Sequence, residues 1–482
     1  MTARSTSSPP PGPTPSGPPQ PPTRARRTVV LAVVGGVVAF VVLLAIGVGQ
    51  WNRGAASAYD LAIFSQSAQS WAGFRLPVAD VLEPGRPLLG DHFSPAVAVF
   101  ALAWWVHPTP VSLVVLQALL LALGTAVVGR TAARHLPVVP AAAVTLGAVV
   151  AHGALAAARF DVHEIAIAVP LLALVAAALL ERRPAAAFWW SIPLLTVKED
   201  LGATVAAVAL VLWAQRERRR AVVLAVTAVA GVLVALAIMW AVDPDHDLSR
   251  LAYFGGTGSA TADPVSGWAA VGPRLGLLVA TVCGGGLLWI ASPIAVLAVP
   301  TLAWRLVGSQ PSYWSTGFHY GAVLVPVAAI ALVDVLGRAR SERARTPLAL
   351  GAAALTAVTT LVVLDVRSLP SPFAASTWTP STRVEELRAL AATLPAGAAV
   401  AADNSTAAYL VADHQVFGFS PGRTPEEYRD LGVQVVVLDL SRNSLKITPT
   451  EKEAWAAAVP TEGGYGSRLT VGPFTAVPLG AD

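Results

Sequence analysis

About eleven apolar runs, parted by short arginine clusters, restrict this chain to one solvent, because runs of that length satisfy their backbone polar groups as helices inside a bilayer. A content of 55% hydrophobic and 13% charged residues, with a mean hydropathy of +0.61, excludes a soluble globular protein. The runs cover residues 29–48, 112–128, 138–155, 165–180, 185–197, 201–214, 221–242, 275–290, 294–306, 321–336 and 348–364. They alternate in direction if the basic groups around Arg24, Arg26 and Arg27, Arg130 and Arg134, Arg182 and Arg183, Arg216 to Arg220, and Arg338 to Arg345 all face the cytoplasm. The N-terminus is then cytoplasmic and the region after the last run extracytoplasmic. A formal net charge of +4 held in those clusters reports orientation in the membrane and argues against a nucleic-acid partner.

The chain divides into three parts. Residues 1–27, rich in proline and serine, have little to bury and are expected to be a disordered cytoplasmic tail. Ala56-Ser57-Ala58 resembles a signal-peptide cleavage site, but the apolar run before it is too long and too distant for a leader. Residues 28–366 form the membrane domain, whose first outer loop, 49–110, contains an amphipathic stretch beginning near Asp60 and an apolar stretch at 93–106. Reading 93–106 as a span would invert Arg130 and Arg134, so both stretches are taken as helices lying at the membrane surface. Residues 367–482 are richer in charge and alternate strand and helix signals, the pattern of a small α/β domain. Strands are expected at 398–402, 415–419, 433–438 and 474–478, and helix starts at Thr382-x-x-Glu385, Thr424-x-x-Glu427 and Thr450-x-x-Glu453. At roughly 110 residues the domain is long enough to bury its own core. The single cysteine, Cys283, lies in an apolar run, which rules out an intrachain disulfide.

Under this topology the ionisable residues gather on the outer side. Asp60, Asp91-His92, the run Arg159-Phe160-Asp161-Val162-His163-Glu164, Lys198-Glu199-Asp200 and His319-Tyr320 all fall at outer ends of spans. Ionisable groups at membrane depth are costly unless paired or wet, so their convergence points to a polar cavity open on that side. Plainer readings compete: Asp60 as a helix cap, 160–164 as a polar turn, Lys198 with Glu199 or Asp200 as a self-neutralising pair, and His152 with Trp104, Trp105, Trp189 and Trp190 as packing or belt residues. Asp91, His163 and Glu164 are the candidate ligands should a divalent metal be used; no cofactor is otherwise indicated. Phosphate-binding loops, nucleophile elbows and dinucleotide fingerprints are absent from the sequence.

Tyr59-Asp60-Leu61-Ala62-Ile63-Phe64-x-Gln66, Asp91-His92-Phe93-Ser94-Pro95, Phe160-Asp161-x-His163-Glu164, Lys198-Glu199-Asp200 and Phe318-His319-Tyr320 resemble a bacterial family of predicted membrane proteins grouped with the GT-C glycosyltransferases. The resemblance implies a GT-C-like polytopic α-helical membrane protein with a small extracytoplasmic α/β domain and a polyprenyl-phosphate-linked sugar as donor. The layout is similar to aminoarabinose and protein mannosyl transferases. It implies Asp60, Asp161 and Lys198 as catalytic residues, with Arg159, His92, His163, Glu199, His319 and Tyr320 around the substrate. Asp60 would take the proton of an acceptor hydroxyl, and Lys198 with Arg159, or a metal at His163 and Glu164, would steady the departing phosphate. His163-Glu164 and Glu199-Asp200 depart from the pattern of the better-known relatives. The rival classes are a transporter or flippase of a lipid-linked substrate and a non-catalytic scaffold.

Overall fold

The computed structural model describes residues 22–56, 59–246, 267–459 and 466–480. Seven of its helices are long and apolar enough to cross a membrane: Ala25–Asn52, Pro110–His135, Val138–Arg159, Arg218–Val242, Gly267–Gly284, His319–Gly337 and Glu342–Val363. Shorter apolar helices, among them Ile165–Leu180, Leu201–Ala214 and Pro293–Val307, fill the gaps between them. Several of the eleven expected runs are broken helices. Val138–Val150 gives way to His152–Arg159 at an extended Ala151, and Pro184–Ser191 tightens into a 3-10 turn at Ile192–Thr196. Thr360 Oγ1 donates to the Val150 carbonyl at 2.9 Å, replacing one bond lost at the first break.

The first helix starts at Pro22, so Arg26 and Arg27 continue it instead of belonging to the expected disordered tail. Proline suits a first helical turn, where its missing N–H has no partner to lose. The rest of that tail lies outside the described residues. Arg27 donates to the carbonyls of Ala133 and Leu136, while Arg134 and Arg130 meet Glu181 at 2.6 and 3.8 Å. These arginines therefore share one end of the bundle. The other end of the first helix, about 37 Å away by helical rise, meets the C-terminal domain. There Asn52 donates to the Thr377 carbonyl and Ser381 N donates back to Asn52 O.

The C-terminal domain is a five-stranded sheet in the order β2-β1-β3-β5-β4. Its strands are β1 (Ala399–Ala402), β2 (Gln415–Gly418), β3 (Val435–Asp439), β4 (Leu469–Val471) and β5 (Phe474–Pro478). β1 runs parallel to both β2 and β3, and β5 runs antiparallel to β3 and β4. The capping box expected at Thr424 and Glu427 is present. The next one is formed by Thr448 and Glu451, with Pro449 in the first turn, not by Thr450 and Glu453. At Thr382 the N-cap is Ser381, without a side-chain bond.

One face of the sheet closes a core within the domain, and the other packs against the membrane domain. Alternation along the strands sends Ala401, Phe417, Val436, Leu438 and Val477 to one face, where Tyr428 and Trp455 cover them. Val400, Ala402, Val416, Val437 and Ala476 face the other way, into one core with Leu61, Phe64, Phe100, Trp104 and Val162 of the membrane domain. Gln66 fixes this joint, since its Nε2 donates to Val416 O at 2.7 Å and its Oε1 accepts from Val81 N at 3.1 Å. Trp51 stacks on Tyr409 with ring centroids 4.1 Å apart. Trp104, expected in the membrane belt, is buried in this joint, whereas Trp105, Trp189 and Trp190 are exposed.

Candidate functional site

Helix Tyr59–Ala72 carries Asp60 in its first turn and Phe64 one turn later, and Phe64 meets His163 edge-on at 5.4 Å. The helix thus brings Asp60 to the turn that connects His152–Arg159 with Ile165–Leu180. Asp60 interacts electrostatically with His163, Glu164, Lys198 and His92. The residues converging here come from four separate stretches of chain. Burial, aided by the charge on Glu164, pushes the Asp60 carboxyl above its ordinary value despite the opposing pull of His163 and Lys198.

At the centre is Glu164, 3% exposed. Its Oε2 lies 2.6 Å from His163 Nδ1 and its Oε1 lies 2.9 Å from Lys198 Nζ. Burial alone would raise its pKa, but His163 and Lys198 outweigh it and hold the carboxyl well below the usual carboxylate range. The imidazole of His163 stacks on that of His319, centroids 3.5 Å apart. His319 also borders Phe160 and Tyr320, and Tyr320 meets Trp304 and Tyr313 edge-on at 5.4 and 5.9 Å. His163, Glu164, Lys198, Asp200, His319 and Tyr320 line a small cleft.

Two further acids flank Lys198. Glu199 accepts from His92 Nδ1 at 3.0 Å and from Phe93 N at 3.2 Å, tying the surface loop to the bundle. Burial pushes the Glu199 carboxyl up, but His92 and its hydrogen bond bring it down to about 2. Burial and Lys198 depress His92, but Glu199 leaves it above its ordinary value. Asp200, at the start of helix Leu201–Ala214, has a buried Oδ1 without a hydrogen-bond partner among the described residues. Burial raises its carboxyl to about 6 despite Lys198.

Asp161 and Arg159 sit differently from this group. Asp161 has a left-handed backbone, φ 58°, an uncommon geometry for a residue with a side chain. Its carbonyl accepts from the Gln117 side chain, which also donates to Ala157 O at 3.2 Å and accepts from His163 N at 2.9 Å. The Asp161 carboxylate interacts electrostatically with Tyr409 of the C-terminal domain. Arg159 is half-buried at a helix end and makes no ion pair among the described residues.

The metal set of Asp91, His163 and Glu164 is not assembled. No three of His, Cys, Asp and Glu among the described residues form a group suited to an ion. Glu164 instead faces the Lys198 ammonium, which competes for the charge a cation would need, and Asp91 lies 4.0 Å from His92.

Three residues that sequence reasoning passed over belong to this end of the bundle. Gln117, an amide inside an apolar run, holds the turn that presents Asp161, His163 and Glu164. Arg86 of the first loop meets the fully buried Asp243 at 2.6 Å, locking that loop to the end of helix Arg218–Val242. Arg305, only 2% exposed, has no acidic partner among the described residues; it donates to Tyr313 O and Ser315 O and lies 5.6 Å over the Tyr320 ring. A cation within the run 294–306 was the available signal.

Two crystal structures of ArnT from Cupriavidus metallidurans, one bound to undecaprenyl phosphate and one in the apo state, align with a TM-score of 0.57. Each alignment covers 94% of this chain and 98% of ArnT at 13% identity, so the likeness is one of fold and the architecture is GT-C-like. No curated protein matches the sequence. The predicted membrane protein family DUF2079 matches residues 55–469, and the chain belongs to that family.

Proposed function

We propose that this protein is a membrane glycosyltransferase that moves a sugar from a polyprenyl-phosphate donor to an acceptor hydroxyl on the extracytoplasmic face. The reading rests on one observation above all: Asp60, Glu164, Lys198 and the His163–His319 pair meet at a cleft in a fold shared with a protein that binds undecaprenyl phosphate. The basic cluster of Arg27, Arg130 and Arg134 lies at the opposite end of the bundle, and the positive-inside rule makes that arrangement support an outward-facing cleft.

In this reading the acceptor oxygen attacks C1 of the sugar, the C1–O bond to the phosphate breaks, and the hydroxyl proton passes to Asp60. Burial that raises the Asp60 carboxyl makes it a better proton acceptor than an ordinary carboxylate. Charge growing on the departing polyprenyl phosphate is met by Lys198 and Arg305, with Arg159 at the rim. Glu164 orients Lys198, and His319 and Tyr320 wall the sugar pocket. Asp161 then serves at the joint with the C-terminal domain, where the acceptor would approach, while His92 and Glu199 hold the first loop in place.

The test is turnover of polyprenyl-phosphate-linked sugars by the purified full-length protein in liposomes. Glycosyl release to an acceptor is the expected result. Movement of the intact donor across the bilayer without cleavage would replace this reading with a flippase, and neither event would leave a scaffold.

A further inference from the structure

Two buried polar atoms in the cleft take no part in the chemistry described above. Asp200 precedes helix Leu201–Ala214 yet caps none of its backbone N–H groups, and its Oδ1 is buried without a hydrogen-bond partner among the described residues. His319, 4% exposed, has an Nδ1 in the same condition. The stack on His163 fixes its ring in place while that nitrogen is left over. Both side chains line the cleft, and both have Glu164 and Lys198 as electrostatic neighbours. A buried polar atom without a partner is costly, and this chain satisfies such atoms elsewhere: Asp403 accepts from Ser405 N, Thr406 Oγ1 and Asp439 N. Two of them lining one hollow leave the missing bonds to a ligand.

The rest of the lining narrows the class of ligand. Trp304 and Tyr320, edge-on at 5.4 Å, give the cleft aromatic surface. Aromatic surface beside separate hydrogen-bonding groups suits a sugar ring, whose faces are C–H and whose edge is hydroxyl. Asp60, Glu164 and Asp200 all interact with Lys198, so one ammonium already serves three carboxyls. A sugar with a carboxylate of its own would add a fourth. We propose that Asp200 and His319 read the donor sugar, each holding one ring hydroxyl through its unpartnered atom, and that this sugar is neutral and unsubstituted at those two positions. The proposal rests on the glycosyltransferase reading and makes Asp200 a residue of donor specificity.

The test deletes hydroxyls from the ligand and their partners from the protein. Full-length protein in liposomes receives a polyprenyl-phosphate-linked hexose, its monodeoxy analogues and the corresponding hexuronate, and kcat/KM is measured for wild type, Asp200→Ala and His319→Phe. Phenylalanine keeps a ring against His163 and lacks the nitrogen. Wild type is expected to lose about tenfold or more on each of two deoxy analogues, as a site built to hydrogen-bond a hydroxyl rejects the analogue lacking it. Asp200→Ala should treat one of those two like the parent hexose and still reject the other, and His319→Phe should do the converse. Each figure is a ratio between two donors on one protein, so the folded fraction cancels. An equal loss on every donor in either variant, wild-type acceptance of all the deoxy analogues, or use of the hexuronate as readily as the hexose would overturn the assignment. Calorimetric titration with the same lipid-linked sugars needs no turnover and separates this proposal from the reaction itself. The same pattern in Kd supports the sugar site even in a protein that releases no glycosyl group, and Kd values indifferent to the missing hydroxyls overturn it.

Discussion

Two buried lysine–carboxylate pairs, one at the end of the bundle and one in the C-terminal domain, look alike by distance and differ in everything around them. Lys452 and Asp403 are both 0% exposed and 2.6 Å apart. Lys452 Nζ also meets Asp439 O, Arg442 O and Ser444 Oγ at 2.7–2.8 Å, while Asp403 accepts from Ser405 N, Thr406 Oγ1 and Asp439 N. Every polar atom of that pair has a partner, so it staples the ends of β1 and β3 and offers nothing to a ligand. Lys198 and Glu164, 2.9 Å apart, instead line a cleft, beside an Asp200 Oδ1 and a His319 Nδ1 that lack hydrogen bonds among the described residues. A closed network marks architecture. An ion pair with unsatisfied neighbours in a hollow is the arrangement that the proposed substrate site requires.

The largest expected effect separates the cleft from the staple by activity. Asp60→Asn should lower kcat by about 10²–10⁴-fold, the range for losing a general base, with no loss of melting temperature. Retained turnover in a stable Asp60→Asn protein would remove Asp60 from the chemistry. The next effect runs the other way. Lys452→Met leaves Asp403 buried and uncompensated, which should cost about 3–5 kcal/mol of stability while activity per folded molecule persists. Lys198→Met should lower the melting temperature less, because His163 still pairs with Glu164, and turnover more. Equal losses of stability in the two lysine variants would erase the distinction drawn here.

How much of this was legible in the sequence follows from the range of each interaction. Asp60, His163, Glu164 and Lys198 stood out because ionisable residues are rare in so apolar a chain, and helix threading did the rest. Asp161 stood out equally, yet its left-handed backbone is held by the Gln117 side chain, a contact with a residue 44 positions away that no local pattern announces. Arg86 and Asp243 are 157 positions apart, and no local pattern connects them. The shared core of the C-terminal domain did have a signal. β1 and β3 are apolar at nearly every position, which announces a sheet buried on both faces, and the domain has helices enough for only one. β4 escaped notice because three residues, Leu469-Thr470-Val471, are too few to show an alternation.

The smallest effect is also the most diagnostic, because the unpartnered Asp200 carboxylate in the cleft should be destabilising. Burial raises the Asp200 carboxyl from an ordinary 3.8 to about 6. A folded-state value above the unfolded one means the folded state holds its proton more tightly. Below pH 3.8 the group is protonated in both states and contributes nothing; between 3.8 and 6 folding keeps a proton that the unfolded chain releases; above 6 the ionised group weakens the fold by a constant amount. Asp200→Asn removes that penalty and should raise stability at pH 7.5 by about 3 kcal/mol, with no gain at pH 3.5. Thermal unfolding of wild type and variant at both pH values reads the difference directly. A gain of the same size at both, or a loss at pH 7.5, would mean that Asp200 is a satisfied structural group like Asp403, and the contrast between the two lysine sites would lose its clearest physical mark.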